Sequence, residues 1–245
     1  NMGLFPNSNN DNKVAAVNGA GNIKNDKKDN DIKLNENVSQ NNSPIKENTA
    51  VPENNPKIED WKLRLVNPWN KIPENYKPKL TYLNNGQAID ERIYSDLQKM
   101  MDDCIAAGLS PVICSSYRTQ EKQQSLFNGE VEQNSAKGMS KEEAKKQAAK
   151  WVAVPGTSEH QLGLALDIVA QSNQRLNESQ EHTAEQKWLM ENSYKYGFIL
   201  RYPTNKREIT GINYEPWHYR YVGKEAAAQI MQQGICLEEY LQQNK

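Results

Sequence analysis

The stretch Pro155–Val169 reads PGTSEHQLGLALDIV, and its second half decides the fold. Residues 164–170, LALDIVA, form a strand of small and apolar residues interrupted by one aspartate. Aspartate is disfavoured in strands and costly in a core unless it finds a partner. His160 lies seven positions before Asp167, and in an extended or bulged segment both side chains can turn toward one point. The stretch therefore predicts a strand whose carboxylate answers to other polar groups.

Around this strand, TYLNNGQAIDERIYSDLQKMMDDCIAAGL predicts a helix, because Ile89, Ile93, Leu97, Met100, Met101, Cys104 and Ile105 recur at helical spacing. Asp90 can cap its start and Gly108 stop it. SPVICSS reads as a short buried strand, and TQEKQQSLFNG as a helix ending at Gly129. In SKEEAKKQAAKWVA, Ser140 and Glu143 form a capping-box signature, with Ala144, Ala148, Trp151 and Val152 as one apolar stripe. TAEQKWLMENSYKYG gives another helix, with Thr183 and Gln186 as capping box and Gly197 as stop. FILRYP and WHYRYV read as strands, and KEAAAQIMQQGICLEEYLQQ closes the chain with helices. Helices and strands alternate irregularly, with no βαβ repeat. That favours an α+β fold: a small, largely antiparallel sheet flanked by helices.

The first 56 residues differ from the rest. They contain 16 Asn and four Pro, with Phe5 as the only aromatic, too little apolar surface to offset the entropy of ordering. Residues 1–56 are expected to be a disordered linker, and residues 57–245 a folded domain. Long polar segments of this kind either tether a domain to an anchor or form a tail without a role. The tether reading carries the expectation of an exported protein with a membrane anchor upstream of residue 1. The segment NMGLFPNSNN has no apolar h-region of a signal peptide, and no run of 18 apolar residues spans a membrane. A net charge of −1 gives no electrostatic case for nucleic acid. Cys104, Cys114 and Cys236 lack metal-site spacing; the first two read as buried small hydrophobes, with one disulfide in the set left open.

The partners for Asp167 come from NYEPWHYR, residues 213–220, where Glu215 and His218 stand three apart. Two of the chain's three histidines thus fall in short motifs flanked by glycine or aromatics. His160, Asp167 and His218 supply two imidazoles and one carboxylate, a catalytic zinc set that leaves a fourth position for water. Glu215 is then a second carboxylate free to act as a general base. Zinc with one Asp ligand and an ionised Glu215 brings the site to zero charge. His182, in a polar loop, reads as merely solvated.

These residues resemble a known family. Ser158, His160, Gly163, Ala165 and Asp167 match SxHxxGxAxD, EPWH from Glu215 to His218 matches the family's ending, and Ser115 to Arg118 match SxYR in the expected order. The chain resembles the zinc D-alanyl-D-alanine carboxypeptidases that include the vancomycin-resistance VanY enzymes, from about Leu80 to Tyr240. The resemblance implies the α+β fold of bacterial peptidoglycan peptidases and the hedgehog signalling domain. It implies Zn²⁺ on His160, Asp167 and His218, with Glu215 as base, and an Arg118 that faces the substrate. Gln123 matches a glutamine that often follows the arginine.

A guanidinium suits either a substrate carboxylate or a developing oxyanion, and the sequence leaves both roles open. Ser116 and Ser158 are candidates for hydrogen bonds to the substrate terminus, and Trp217 for a further substrate contact. The expected activity is removal of a C-terminal D-alanine from peptidoglycan stem peptides. It would be performed by a monomer outside the cytoplasm, at the surface of a bacterium. The rivals are an L,D-carboxypeptidase acting on the tetrapeptide stem, an endopeptidase cutting inside it, and a non-catalytic zinc-bearing wall-binding module. Glu215 argues against the last, which needs no free carboxylate beside a metal.

Overall fold

A computed structural model describes residues 60–244. The predicted linker over residues 1–56 lies outside them. The first regular pair is a hairpin: β1 (Leu80–Tyr82) runs antiparallel to β2 (Ala88–Asp90), with Leu80 opposite Asp90. Its turn contains Asn84, Asn85 and Gly86, and Gly86 takes a φ of 80°, the left-handed region that Asn-Gly turns exploit. Here the helix expectation needs correction, since Ile89 is a strand residue. Asp90 caps a short 3₁₀ turn, Glu91–Ile93, by accepting from the Arg92 amide. Only after it does α1 (Tyr94–Ala106) begin. Leu97, Met100, Met101 and Cys104 bury the inner stripe of α1 as predicted, whereas Ile105 is exposed. Gly108, at φ 84°, follows the helix as expected of a stop.

The main sheet has four strands in the order β3-β4-β6-β5, every neighbouring pair antiparallel. They are β3 (Pro111–Ser115), β4 (Ala165–Ala170), β5 (Phe198–Leu200) and β6 (His218–Tyr221). Side chains alternate faces along each strand. Leu166 and Ile168 of β4 join Ile113, Phe198, Tyr219 and Tyr221 in a core with the α1 residues and Leu189. Leu189 comes from α4 (Ala184–Asn192). The other face holds Ala165, Asp167, His218 and Arg220. Ala165 is paired with Arg220 and Asp167 with His218. The register alone thus sets two of the sequence's candidate residues side by side.

Several further helices pack on the sheet or on one another. Helix α2 (Gln120–Ala136) runs straight through Gly129, contrary to expectation. One interior glycine costs a helix about 1 kcal/mol, too little to end it. The chain turns instead at Gly138, where φ is 93°. Helix α3 (Lys141–Ala148) opens with the predicted Ser140–Glu143 capping box but stops before Trp151 and Val152. Those two leave the predicted stripe, and Trp151 is 36% exposed.

At α4 the capping box forms only by half. Thr183 accepts from the Gln186 amide, but the Gln186 side chain donates to the Ile168 carbonyl and accepts from the Tyr219 hydroxyl. Gly197, at φ 87°, ends the 3₁₀ turn Ser193–Tyr196 that follows. Helices α5 (Arg207–Thr210), α6 (Lys224–Gln233) and α7 (Leu237–Gln243) complete the chain. Ile199, Val222, Ala227, Ile230 and Leu237 form a second, smaller core beneath α6 and α7. All three cysteines are free, and burial pushes the Cys104 and Cys114 thiols up to about 12. Cys114 is only half-buried, and its thiol faces the Asp167 carbonyl at 3.4 Å. Among the described residues, no helix is long and apolar enough to cross a membrane.

Candidate metal centre and active-site cleft

Three elements deliver the site. A 3₁₀ turn, Glu159–Leu162, carries His160 and ends at Gly163, whose φ is 74°. An added Cβ at Gly163 would stand 2.9 Å from the Asp90 backbone nitrogen, so the position excludes any other residue without movement. Immediately afterwards β4 brings up Asp167, and β6 sets His218 opposite it.

The three side chains converge. The Asp167 Oδ1 atom is 3.4 Å from His160 Nε2 and 3.2 Å from His218 Nδ1. One ligand atom from each residue lies within 4.8 Å of the others, and all three residues are buried. The His160 ring is oriented from behind, since its Nδ1 stands 2.7 Å from the Ser116 carbonyl. That contact puts the proton on Nδ1 and leaves the Nε2 lone pair facing Asp167. The two rings meet edge to face, with centroids 4.8 Å apart.

The electrostatics fit a cation. Burial and the neighbouring Arg118 push the His160 imidazole down to about 4. Burial also works against charge on His218, but the carboxylates of Asp167 and Glu159 outweigh it and raise that imidazole to about 9. Burial likewise opposes the Asp167 anion, yet the imidazoles and Arg118 hold its carboxyl well below the usual range. His218 is thus the more basic of the two imidazoles. Asp167 Oδ1 is buried without a hydrogen-bond donor although two ring nitrogens face it. A buried orphan acceptor is costly, and a dication at this point would satisfy it together with one lone pair from each ring. Two imidazole nitrogens and one carboxylate are a zinc donor set with an open fourth position. The residues present fit the metal.

The Glu215 carboxylate is buried beside this point, with Oε2 3.6 Å from His218 Nδ1. Burial pushes its pKa up to about 8, and the Asp167 charge adds to the rise while His218 and Arg118 oppose it. Arg118 donates from Nη2 to Asp167 Oδ2 at 2.8 Å and to the Ser115 hydroxyl at 2.7 Å. It thus holds the outer oxygen of the carboxylate whose inner oxygen faces the imidazoles.

A cleft of about 850 Å³ opens over the cluster, and Arg118, Ser158, Glu215 and Trp217 all line it. Two other candidates stand behind its wall. The Ser116 hydroxyl donates to Gln87 at 2.7 Å and accepts from the Ala88 amide at 3.0 Å, so it is spent inside the fold. Gln123 is fully buried, receiving the Arg118 Nη1 at 3.3 Å and donating to the Ala153 carbonyl at 2.8 Å. Both reach the cleft only through His160 and Arg118. His182 is exposed, as expected.

Sequence reasoning passed over several residues. Tyr202 lines the cleft, its ring 4.7 Å from that of His218. Trp151 and Leu176, partly exposed apolar side chains, line it too. Behind His218, the carboxylate of Glu159 is wedged between Arg201 and Arg220, each donating to its Oε1 at 2.7 Å. The arginines in FILRYP and WHYRYV were the available signal, because a cation within an apolar strand needs a buried anion.

Known proteins resemble this chain over the same region. The family model VanY, D-alanyl-D-alanine carboxypeptidase, matches residues 86–224. The D-alanyl-D-alanine carboxypeptidase of Enterococcus faecalis (strain ATCC 700802 / V583) is 51% identical over 187 residues, covering 76% of this chain and 68% of that protein. The solved structure of VanYB in complex with D-alanine-D-alanine superposes with a TM-score of 0.70 at 51% identity, covering 76% of this chain and 100% of that one. A mutant of the vancomycin-resistance D,D-pentapeptidase VanY from a VanB-type cassette, in complex with Zn(II), gives 0.69 at 52% identity, covering 74% and 99%. The matched region contains the turn that carries His160, the strand that carries Asp167 and the pair Glu215–His218, and by that match the chain belongs to the VanY family of D-alanyl-D-alanine carboxypeptidases.

Proposed function

We propose that this chain removes the terminal D-alanine from peptidoglycan stem peptides, with zinc held by His160, Asp167 and His218 and with Glu215 as the base. As a member of its family it is a zinc-dependent D,D-carboxypeptidase. Peptidoglycan lies outside the bacterial cytoplasm, and the chain acts there. The observation that supports the residue assignment best is the orphaned Asp167 Oδ1 between two ring nitrogens, with the Glu215 carboxylate beside them in the cleft. When bound, the zinc supplies a Lewis acid for the scissile carbonyl and an acidified water.

The rest is work for the protein's own groups. The Glu215 carboxylate takes a proton from the attacking water and returns it to the leaving amine. Burial, which raises its pKa, suits it to both directions of transfer. Arg118 meets the substrate's free carboxylate from the cleft wall, its own position fixed by Asp167, Ser115 and Gln123. Charge supports that role. A dication together with the Asp167 and Glu215 anions and the Arg118 cation leaves one positive charge, which a C-terminal carboxylate neutralises. Ser158 and Trp217 contribute further contacts along the wall. Residues 1–56 act as a tether that keeps the domain near the wall.

The test is mass spectrometry of muropeptide tripeptide, tetrapeptide and pentapeptide after incubation with the zinc-loaded chain. The expected result is pentapeptide converted to tetrapeptide with release of D-alanine. Conversion of tetrapeptide alone would mark an L,D-carboxypeptidase, and three unchanged peptides would mark a binding module.

A further inference from the structure

The buried side of His218 presents a second pair of orphans. Its Nε2 is buried without a hydrogen-bond partner, and so is Glu159 Oε2. The two face each other at 3.7 Å. Glu159 has no freedom to serve anything else. Its Oε1 accepts from Arg201 Nε and Arg220 Nη1, both at 2.7 Å, and the side chains of all three residues are fully buried. Arg201 is held in turn by both oxygens of Glu238, at 2.7 and 2.9 Å. Arg220 Nη2 is fixed on the carbonyls of Lys62 and Arg64, each at 2.8 Å. A carboxylate clamped by two guanidiniums keeps its charge and its orientation. The free oxygen therefore points at a ring nitrogen from a rigid mount.

We propose that Glu159 is a positioning residue for the metal centre: its Oε2 accepts the Nε2–H of His218 and so holds the Nδ1 lone pair toward the zinc. The proposal rests on the zinc assignment made above. Closing the 3.7 Å gap to the usual ~2.9 Å of an N–H···O bond satisfies both orphans at once. It also completes a carboxylate–histidine–metal arrangement, in which the carboxylate fixes the tautomer and strengthens the imidazole as a donor. The two histidines are then set by opposite nitrogens. His160 is held through Nδ1 by the Ser116 carbonyl, and His218 through Nε2 by Glu159. Since Glu159 adjoins His160 in one 3₁₀ turn, the segment that carries one ligand also carries the support of the other.

The test uses the full chain labelled with ¹⁵N-histidine, with and without zinc. Long-range proton–nitrogen correlation identifies the protonated nitrogen of each ring. The expected result is that zinc shifts His218 Nδ1, while Nε2 carries a proton protected from exchange with water. If zinc shifts both rings but His218 binds through Nε2, or its Nε2–H exchanges freely, Glu159 does not hold it and the proposal falls alone. If zinc shifts neither ring, the ligand assignment itself falls and takes the proposal with it.

Zinc affinity by chelator competition gives a second readout. Glu159→Gln is expected to weaken binding about 10–100-fold, as loss of such a support does. The Nε2–H resonance should move with it. A Gln variant with reduced melting temperature but unchanged zinc affinity and an unchanged Nε2–H signal would make Glu159 merely structural. The wild-type spectra decide the matter should the variant fail to fold.

Discussion

Glu215 is a carboxylate whose burial favours its acid form. Burial raises its pKa to about 8, so in the metal-free cluster the acid form persists to neutral pH. A dication near His218 Nδ1, 3.6 Å from Oε2, favours the anion and returns the group to service as a base. Activity should therefore rise with pH along a limb set by Glu215 in the zinc enzyme, because the working form is the ionised one. Glu215→Gln keeps the size and the hydrogen bonding but removes the base. We expect turnover to fall by ~10²–10⁴-fold with zinc content unchanged, and the rising limb to vanish. A variant that shed zinc yet kept its activity per bound metal would make Glu215 a ligand instead. Arg118 has two tasks, and Arg118→Ala should reveal both. Losing the substrate-facing charge raises KM and lowers kcat, and losing the 2.8 Å partner of Asp167 Oδ2 weakens zinc binding as well. Unchanged kinetic constants with full-length pentapeptide would remove Arg118 from the site.

At the level of elements, the site depends on one turn and one register. Gly163 joins the His160 turn to β4 at a φ of 74°, and its amide donates to the His160 carbonyl at 3.2 Å. Gly163→Ala combines a strained φ with a Cβ 2.9 Å from the Asp90 amide nitrogen, which is backbone and cannot swing aside. A residue forced into such a conformation costs about 1–3 kcal/mol. Differential scanning calorimetry should show a fall of at least ~2 °C, since a domain of this size loses about 2–4 °C per kcal/mol. An unchanged Tm would mean the turn relaxes freely.

The same turn explains what the sequence made legible. His160, Gly163, Ala165 and Asp167 must sit close together in the chain because one turn and one strand carry them all. His218 and Glu215 share a second short segment, so their spacing survives in the sequence too. Interactions across elements left no such spacing. Nothing in the local pattern says that Gln123 supports Arg118, that the Ser116 hydroxyl belongs to Gln87, or that Glu159 answers Arg201 and Arg220. Local competition defeated other readings. Asn85-Gly86 is a hairpin signal, but the apolar residues from Ile89 onward match helical spacing as well, and Gly129 is a single interior glycine, which a helix tolerates.

The described residues, 60–244, are bound together through the same buried charges. The segment after Asp60 belongs to the domain rather than to a linker. Trp61 stacks on Tyr221 with ring centroids 6.0 Å apart, and Arg92 lies 3.7 Å over its ring. The Lys62 and Arg64 carbonyls satisfy the Arg220 guanidinium, Val66 is fully buried, and Asn67 donates to Glu238 at 3.1 Å. Two shortened chains should therefore behave differently. A chain beginning at Lys57 retains every one of these contacts. Its Tm and its turnover of soluble pentapeptide should match those of the full chain, while its activity on intact walls falls, because a tether acts by raising local concentration. A chain beginning at Asn67 loses the Trp61 ring, Val66 and both carbonyl acceptors of a buried guanidinium. An unsatisfied buried partner alone costs about 1–3 kcal/mol, and the lost apolar burial adds to it. Its Tm should drop by at least ~6 °C. Because Arg220 also clamps Glu159, its zinc affinity should weaken in step with its stability. Loss of soluble-peptide activity in the Lys57 chain would overturn the tether assignment. Full stability and full zinc affinity in the Asn67 chain would show instead that the Arg220 anchorage contributes nothing to the centre.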